Sequence, residues 1–169
     1  MFNYFTDTIV LIFLGYSVVY PFYLWITPLR QIDGSFYRFN LGLCCVIGAL
    51  GAIGYHALNP DLISEVYVWI WLALLLSITA FYWHSKKINN LIISSVSIFG
   101  SVIMSNVLFN IVPALNQEGA FFATLLGAMI TAGVFFAMIL GHWYLNVINL
   151  PIRLLKKAVI ILSALLIVR

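Results

Sequence analysis

Residues 61–87 read DLISEVYVWIWLALLLSITAFYWHSKK, with the carboxylates Asp61 and Glu65 at one end, Lys86 and Lys87 at the other, and an apolar run between them. A hydrocarbon core of about 30 Å is crossed by roughly 20 helical residues, and the run from Ser64 to Trp83 has that length. The pattern repeats outward in both directions. Apolar runs are separated in turn by Arg30 and Arg38, by Asp61 and Glu65, by Lys86 and Lys87, by Glu118, and by Arg153, Lys156 and Lys157. Charge sign therefore alternates from one end of each apolar segment to the other, as in a chain that crosses a membrane repeatedly.

Composition agrees. Hydrophobic residues make up 64% of the chain and charged residues 8%, against about 25% charged in soluble proteins, so a water-facing fold would lack the polar surface it needs. The formal net charge of +3 comes from the loop lysines and arginines; topology and anionic headgroups account for it, and no nucleic-acid partner is expected. The lipid bilayer is the expected surrounding.

The expected fold class is all-α: a polytopic transmembrane helix bundle in one domain, residues 1–169, of about six antiparallel spans near 8–26, 40–58, 64–83, 89–111, 119–144 and 151–169. Thr27-Pro28, Asp33-Gly34, Asn59-Pro60, Val112-Pro113 and Leu150-Pro151 supply the turn chemistry between them. Pro21 lies inside the first span and is expected to kink it. The first run lacks a small-residue cleavage site and reads as a retained span. Basic loops are retained in the cytoplasm during insertion, which predicts an inner or plasma membrane protein with its N-terminus outside.

The last span is short. From Pro151 to Arg169 the rise is about 28 Å, enough only if Arg153, Lys156 and Lys157 snorkel back to the interface. Either the chain ends in a barely spanning helix, or it is the N-terminal part of a longer multi-span protein; the second is favoured.

Helices in lipid associate through close backbone approach and interhelical hydrogen bonds. Small residues at helical spacing mark the expected packing surfaces: Gly48 and Gly51 in the second span, Ser97, Ser101 and Ser105 in the fourth, Gly133, Ala137 and Gly141 in the fifth. Spans two, four and five are therefore expected at the centre, with one, three and six facing lipid or partners. Tyr20, Tyr37, Tyr55, Trp83 and Trp143, near span ends, read as interfacial anchors. The adjacent Cys44 and Cys45 read as packing residues rather than a disulfide.

No catalytic constellation, metal motif or phosphate-binding loop is recognisable, and no enzyme activity is expected. His84 and His142 share a depth on the basic side and are candidate axial ligands of a b-type haem, with Gly141 making room. His56 near Asp61 and Glu65 is read as an interfacial cluster. Asn106 and Asn110 with the serine stripe are candidates for a polar path. The preferred expectation is a structural or accessory subunit packing with other membrane subunits in a larger complex. The alternatives are a haem-binding electron-transfer subunit and a small transporter or channel.

Overall fold

The computed structural model describes residues 2–29, 31–58, 60–85, 88–112, 117–147 and 150–169. It is an all-helical bundle: α1 Phe2–Tyr23, continued by a 3-10 turn Leu24–Ile26, then α2 Gly34–Ala57, α3 Leu62–His84, α4 Asn90–Ile111, α5 Gln117–Asn146 and α6 Arg153–Val168. Five of these helices, α1 to α5, are long and apolar enough to cross a membrane. The chain is an integral-membrane protein. At 16 residues α6 rises about 24 Å, less than the hydrocarbon core, whereas α5, with 30 residues, rises about 45 Å and overreaches it unless tilted.

Helix starts follow local chemistry. The Asp33 carboxylate accepts from the Ser35 amide at 2.7 Å, which starts α2 six residues ahead of the expected span. Asp61 and Asn89 cap α3 and α4 in the same way, accepting from the amides of Ser64 (3.0 Å) and Leu91 (2.9 Å). At the far end of α1 the chain runs through Pro21 and tightens into the 3-10 turn three residues later. The Tyr37 hydroxyl lies 2.9 Å from the Leu24 carbonyl and 2.6 Å from that of Thr27. The Leu24 carbonyl also accepts from the Thr27 amide at 3.2 Å, so Tyr37 of α2 closes over a turn that is already hydrogen-bonded.

The packing order corrects the expectation drawn from small residues. The central helix is α1, which packs on α2, α4 and α5, while α4 and α5 barely touch. In the α1 span 61% of the residues are buried, against 33% for α3 and α5, and residues 14–21 are buried all round. The physical reason lies in where the glycines point. A Cβ on Gly51 would sit 2.9 Å from the Leu14 side chain and 3.0 Å from its backbone nitrogen, and one on Gly48 would sit 3.3 Å from Ser17. The α2 glycines open a surface for α1 rather than for α4 or α5. Gly15, on α1 itself, faces Met104 of α4 and Ala128 of α5. The peripheral places expected for α3 and α6 agree with the structure: α3 packs on α2 and α4, and α6 on α5.

An aromatic seam fills the α1–α2–α5 contact toward the basic end, where α1 finishes and α2 begins. Phe136 meets the rings of Tyr20, Tyr23 and Phe36 at centroid distances of 5.9, 5.6 and 6.0 Å, and Phe36 meets Trp143 at 5.3 Å.

Candidate functional site

The densest polar cluster lies at the bundle end carrying Asp7, Asp61 and Glu65, where α2, α3 and α4 meet. Asn110 Nδ2 donates toward Asp61 Oδ1 at 2.8 Å, Ser64 Oγ at 2.8 Å and the Tyr55 hydroxyl at 3.2 Å. With two N–H hydrogens for three acceptors, these bonds are shared. Ser64 Oγ in turn donates to Asn106 Oδ1 at 2.6 Å, and the Ser64 amide reaches Asp61 Oδ2 at 3.0 Å. One helix end from each of three spans is thus tied through Ser64 and Asn110. The hydrogen bond from the Ser64 amide holds the Asp61 carboxyl below its ordinary value of 3.8. A cleft of about 450 Å³ opens beside the cluster, with Asp7, Tyr55, Asp61 and Asn110 in its wall.

His56 and Glu65 form a separate pair. His56 Nδ1 lies 2.7 Å from Glu65 Oε1, which also accepts from Trp69 Nε1 at 3.0 Å. His56, Asp61 and Glu65 therefore divide between two networks. Ser64 gives its hydroxyl proton to an amide oxygen rather than to an imidazole, so the cluster lacks the nucleophile–base contact of a hydrolase.

The path residues Asn106 and Asn110 are both engaged in this clamp. Further along α4, Ser101 donates to the Ser97 carbonyl at 2.9 Å and Ser105 to the Val102 carbonyl at 2.7 Å, on their own helix. Ser97 is buried, and Ser94 accepts from Trp25 Nε1 at 2.6 Å.

His84 and His142 are both exposed. They stand on α3 and α5, whose main packing partners are α2 and α4 for the first and α1 and α6 for the second. The structure does not draw the two imidazoles to a common interior face. His142 lines a groove with Phe39 and Trp143, where α2 approaches α5.

Among the fifth-span packing residues, Gly133 is buried and Ala137 half-buried. A Cβ on Gly133 would lie 2.7 Å from the Tyr23 hydroxyl, which donates to the Met129 carbonyl at 2.6 Å. That glycine makes room for a tyrosine of α1. Gly141 departs from its expected part: a Cβ there meets nothing within 4 Å, because the close contact of α5 lies nearer its middle. Gly100, not singled out from the sequence, is packed so closely that a Cβ would collide with Trp71 Nε1; that indole donates to the Val96 carbonyl at 3.2 Å.

Several tyrosines read as interfacial anchors are interior polar groups. Tyr20, Tyr37 and Tyr55 are at most 1% exposed. Tyr20 donates to Asn40 Oδ1, and Asn40 Nδ2 donates to the Phe36 carbonyl at 2.6 Å. The signal that distinguishes them is a polar partner at matching depth on another helix: Asn40 for Tyr20, Asn110 for Tyr55, and Asn90, 3.2 Å from the hydroxyl, for Tyr37. By contrast Trp25, Tyr67, Trp69 and Trp83 remain exposed, as anchors should. Cys44 and Cys45 are free and buried. Thr79 gives its proton to the Leu75 carbonyl at 2.8 Å, so Cys45 is the donor in its 3.2 Å contact with Thr79.

No family model, curated protein or solved structure matches this chain.

Proposed function

We propose that this chain is a non-enzymatic integral-membrane subunit that acts by packing against other membrane proteins in a larger assembly. Its basic loops face the cytoplasm, its N-terminus faces outside, and its location is an inner or plasma membrane. The observation that carries the reading is how its polar side chains are spent. Asn110 joins α4 to Tyr55 of α2 and to Ser64 and Asp61 at the start of α3, Tyr20 joins α1 to Asn40 of α2, Tyr23 joins α1 to α5, and Trp25 joins the 3-10 turn to α4. These groups hold the bundle together, and transport or proton transfer calls for ionisable groups inside the membrane. The outward surface of α3 is apolar and aromatic along its length, with Ile63, Tyr67, Ile70, Leu74, Phe81 and Trp83 exposed. It offers contact area rather than chemistry.

Isolation of the native protein in gentle detergent, with subunits identified by mass spectrometry, tests the proposal. Stoichiometric membrane-protein companions, cross-linked through cysteines placed on the outer face of α3, are expected. A stable, homogeneous monomer lacking companions overturns the reading. The same preparation addresses the haem-binding alternative: a reduced α-band that stays with this chain after companions are removed would replace the subunit proposal with electron transfer through His84 and His142.

A further inference from the structure

The end of the bundle that carries the basic loops holds an open groove of about 490 Å³. Its walls are Val19, Phe22 and Ile26 from α1 and the 3-10 turn, Met129 of α5, and Lys157 and Ile161 of α6. The other polar groups beside it are already committed: the Tyr23 hydroxyl to the Met129 carbonyl and the Trp25 indole to Ser94. Lys157 is exposed and has no hydrogen bond or ion pair among the described residues. Arg153 shares its helix face one turn nearer the basic end. Among the described residues, Arg38, Arg153, Lys156 and Lys157 belong to the helix starts of this end, and Asp33 is the sole acid there. Its carboxylate is spent on the Ser35 amide.

We infer that this groove binds one membrane lipid with an anionic phosphate headgroup, its acyl chain along Val19, Phe22 and Ile161 and its phosphate at Lys157. Charge complementarity selects the headgroup, and depth selects the tail. From Ile26 back to Val19 the wall descends about 10 Å into the bilayer, and Trp25, 51% exposed, marks the headgroup level beside the opening. Size argues against a partner helix: about 490 Å³ is little more than one turn of a cylinder about 10 Å across with a pitch of about 5.4 Å. A flexible acyl chain fits such a short slot. The inference rests on the bundle fold and is independent of the subunit proposal, since it concerns lipid retained by this chain alone.

The test is native mass spectrometry of the full chain in mild detergent, titrated with dioleoyl phosphatidylglycerol or dioleoyl phosphatidylcholine. One phosphatidylglycerol should bind saturably and at least about fivefold more tightly than phosphatidylcholine, the factor expected of one lysine at a headgroup. Lys157→Met should erase the preference, and Lys156→Met, next to it but outside the groove, should keep it. Ile161→Trp, which fills the groove from a partly exposed position, should lower retention of both lipids. Equal binding of the two lipids by the unmodified chain, equal losses in the two lysine variants, or undiminished retention by the tryptophan variant would each overturn the site.

Discussion

The clamp at the acidic end and the aromatic seam around α1 hold the same bundle by different forces. In the clamp, Asn110, Ser64, Asp61, Asn106 and Tyr55 exchange hydrogen bonds of 2.6 to 3.2 Å at the rim of three helices. In the seam, Phe136, Phe36, Tyr20 and Tyr23 fill the space between α1, α2 and α5 with ring contacts. Because lipid tails are as apolar as leucine, removing a core ring from the seam forfeits chiefly dispersion contacts and close packing. Removing a clamp residue forfeits hydrogen bonds that a solvated rim can partly replace with water. The seam should therefore carry most of the stability, and the clamp should set the positions of α3 and α4 relative to α2.

Phe136→Ala is the largest test of that division. It leaves a cavity between three helices and should cost about 3 kcal/mol, the lower end for a phenylalanine truncation, read as a shift in unfolding in mixed detergent and SDS micelles. A loss below that of any clamp variant would reverse the comparison. Next comes Gly51→Ala, whose methyl would press on the Leu14 backbone and should cost about 2 kcal/mol through forced separation of α1 and α2. Gly141→Ala sharpens the point. The added methyl has open space around it, so the change should be neutral or should stabilise by up to about 1 kcal/mol through reduced unfolded-chain freedom.

Those glycines also show how far the sequence could be read. The spans were legible because alternating loop charge and apolar length are local properties, visible between Asp61 and Lys87 alone. The centre of the bundle was not. A stripe of small residues states that a close neighbour exists without stating which helix it is. Gly48 and Gly51 sit against α1, a helix that carries no stripe of small residues and is less apolar on average than the peripheral α3, so nothing local marked it as the centre. Tyr37 and Tyr55 posed the same difficulty. Position near a span end suits an anchoring ring and an interior hydroxyl equally, and Asn90 and Asn110, 53 and 55 residues away in the chain, decide between them.

Within the clamp, Asn110→Ala should cost about 1 kcal/mol, the scale of interhelical hydrogen bonds in membrane proteins, while freeing α4 from Asp61 and Ser64. Increased hydrogen exchange at the start of α3, with little change at the seam, is the expected signature. Asp61 adds a smaller, pH-dependent effect. Its folded-state pKa lies below 3.8, so its contribution is complete above that unfolded value and is lost as pH falls through the folded one. Unfolding profiles at pH 7 and pH 3 should therefore differ more in the unmodified chain than in Asp61→Asn, which keeps a helix cap but has no charge to lose.

The smallest effect expected is that of His84→Ala with His142→Ala. Both side chains are exposed, on helices whose main partners differ, and among the described residues neither closes a hydrogen bond between spans. Exposed substitutions away from packing and capping positions change stability by less than about 0.5 kcal/mol, so the double variant should unfold with the unmodified chain. A loss larger than that of Asn110→Ala would show that the pair does structural work comparable to the clamp. It would also revive a shared ligand as the cause, because two solvated imidazoles on separate helices acquire such a coupling only through something bound between them. Since the groove lined by His142 also contains Phe39 of α2, His142→Ala alone separates a local contact with that helix from true coupling to His84. If the single variant reproduces the double, the effect belongs to α5 and α2; only an excess in the double assigns it to the pair.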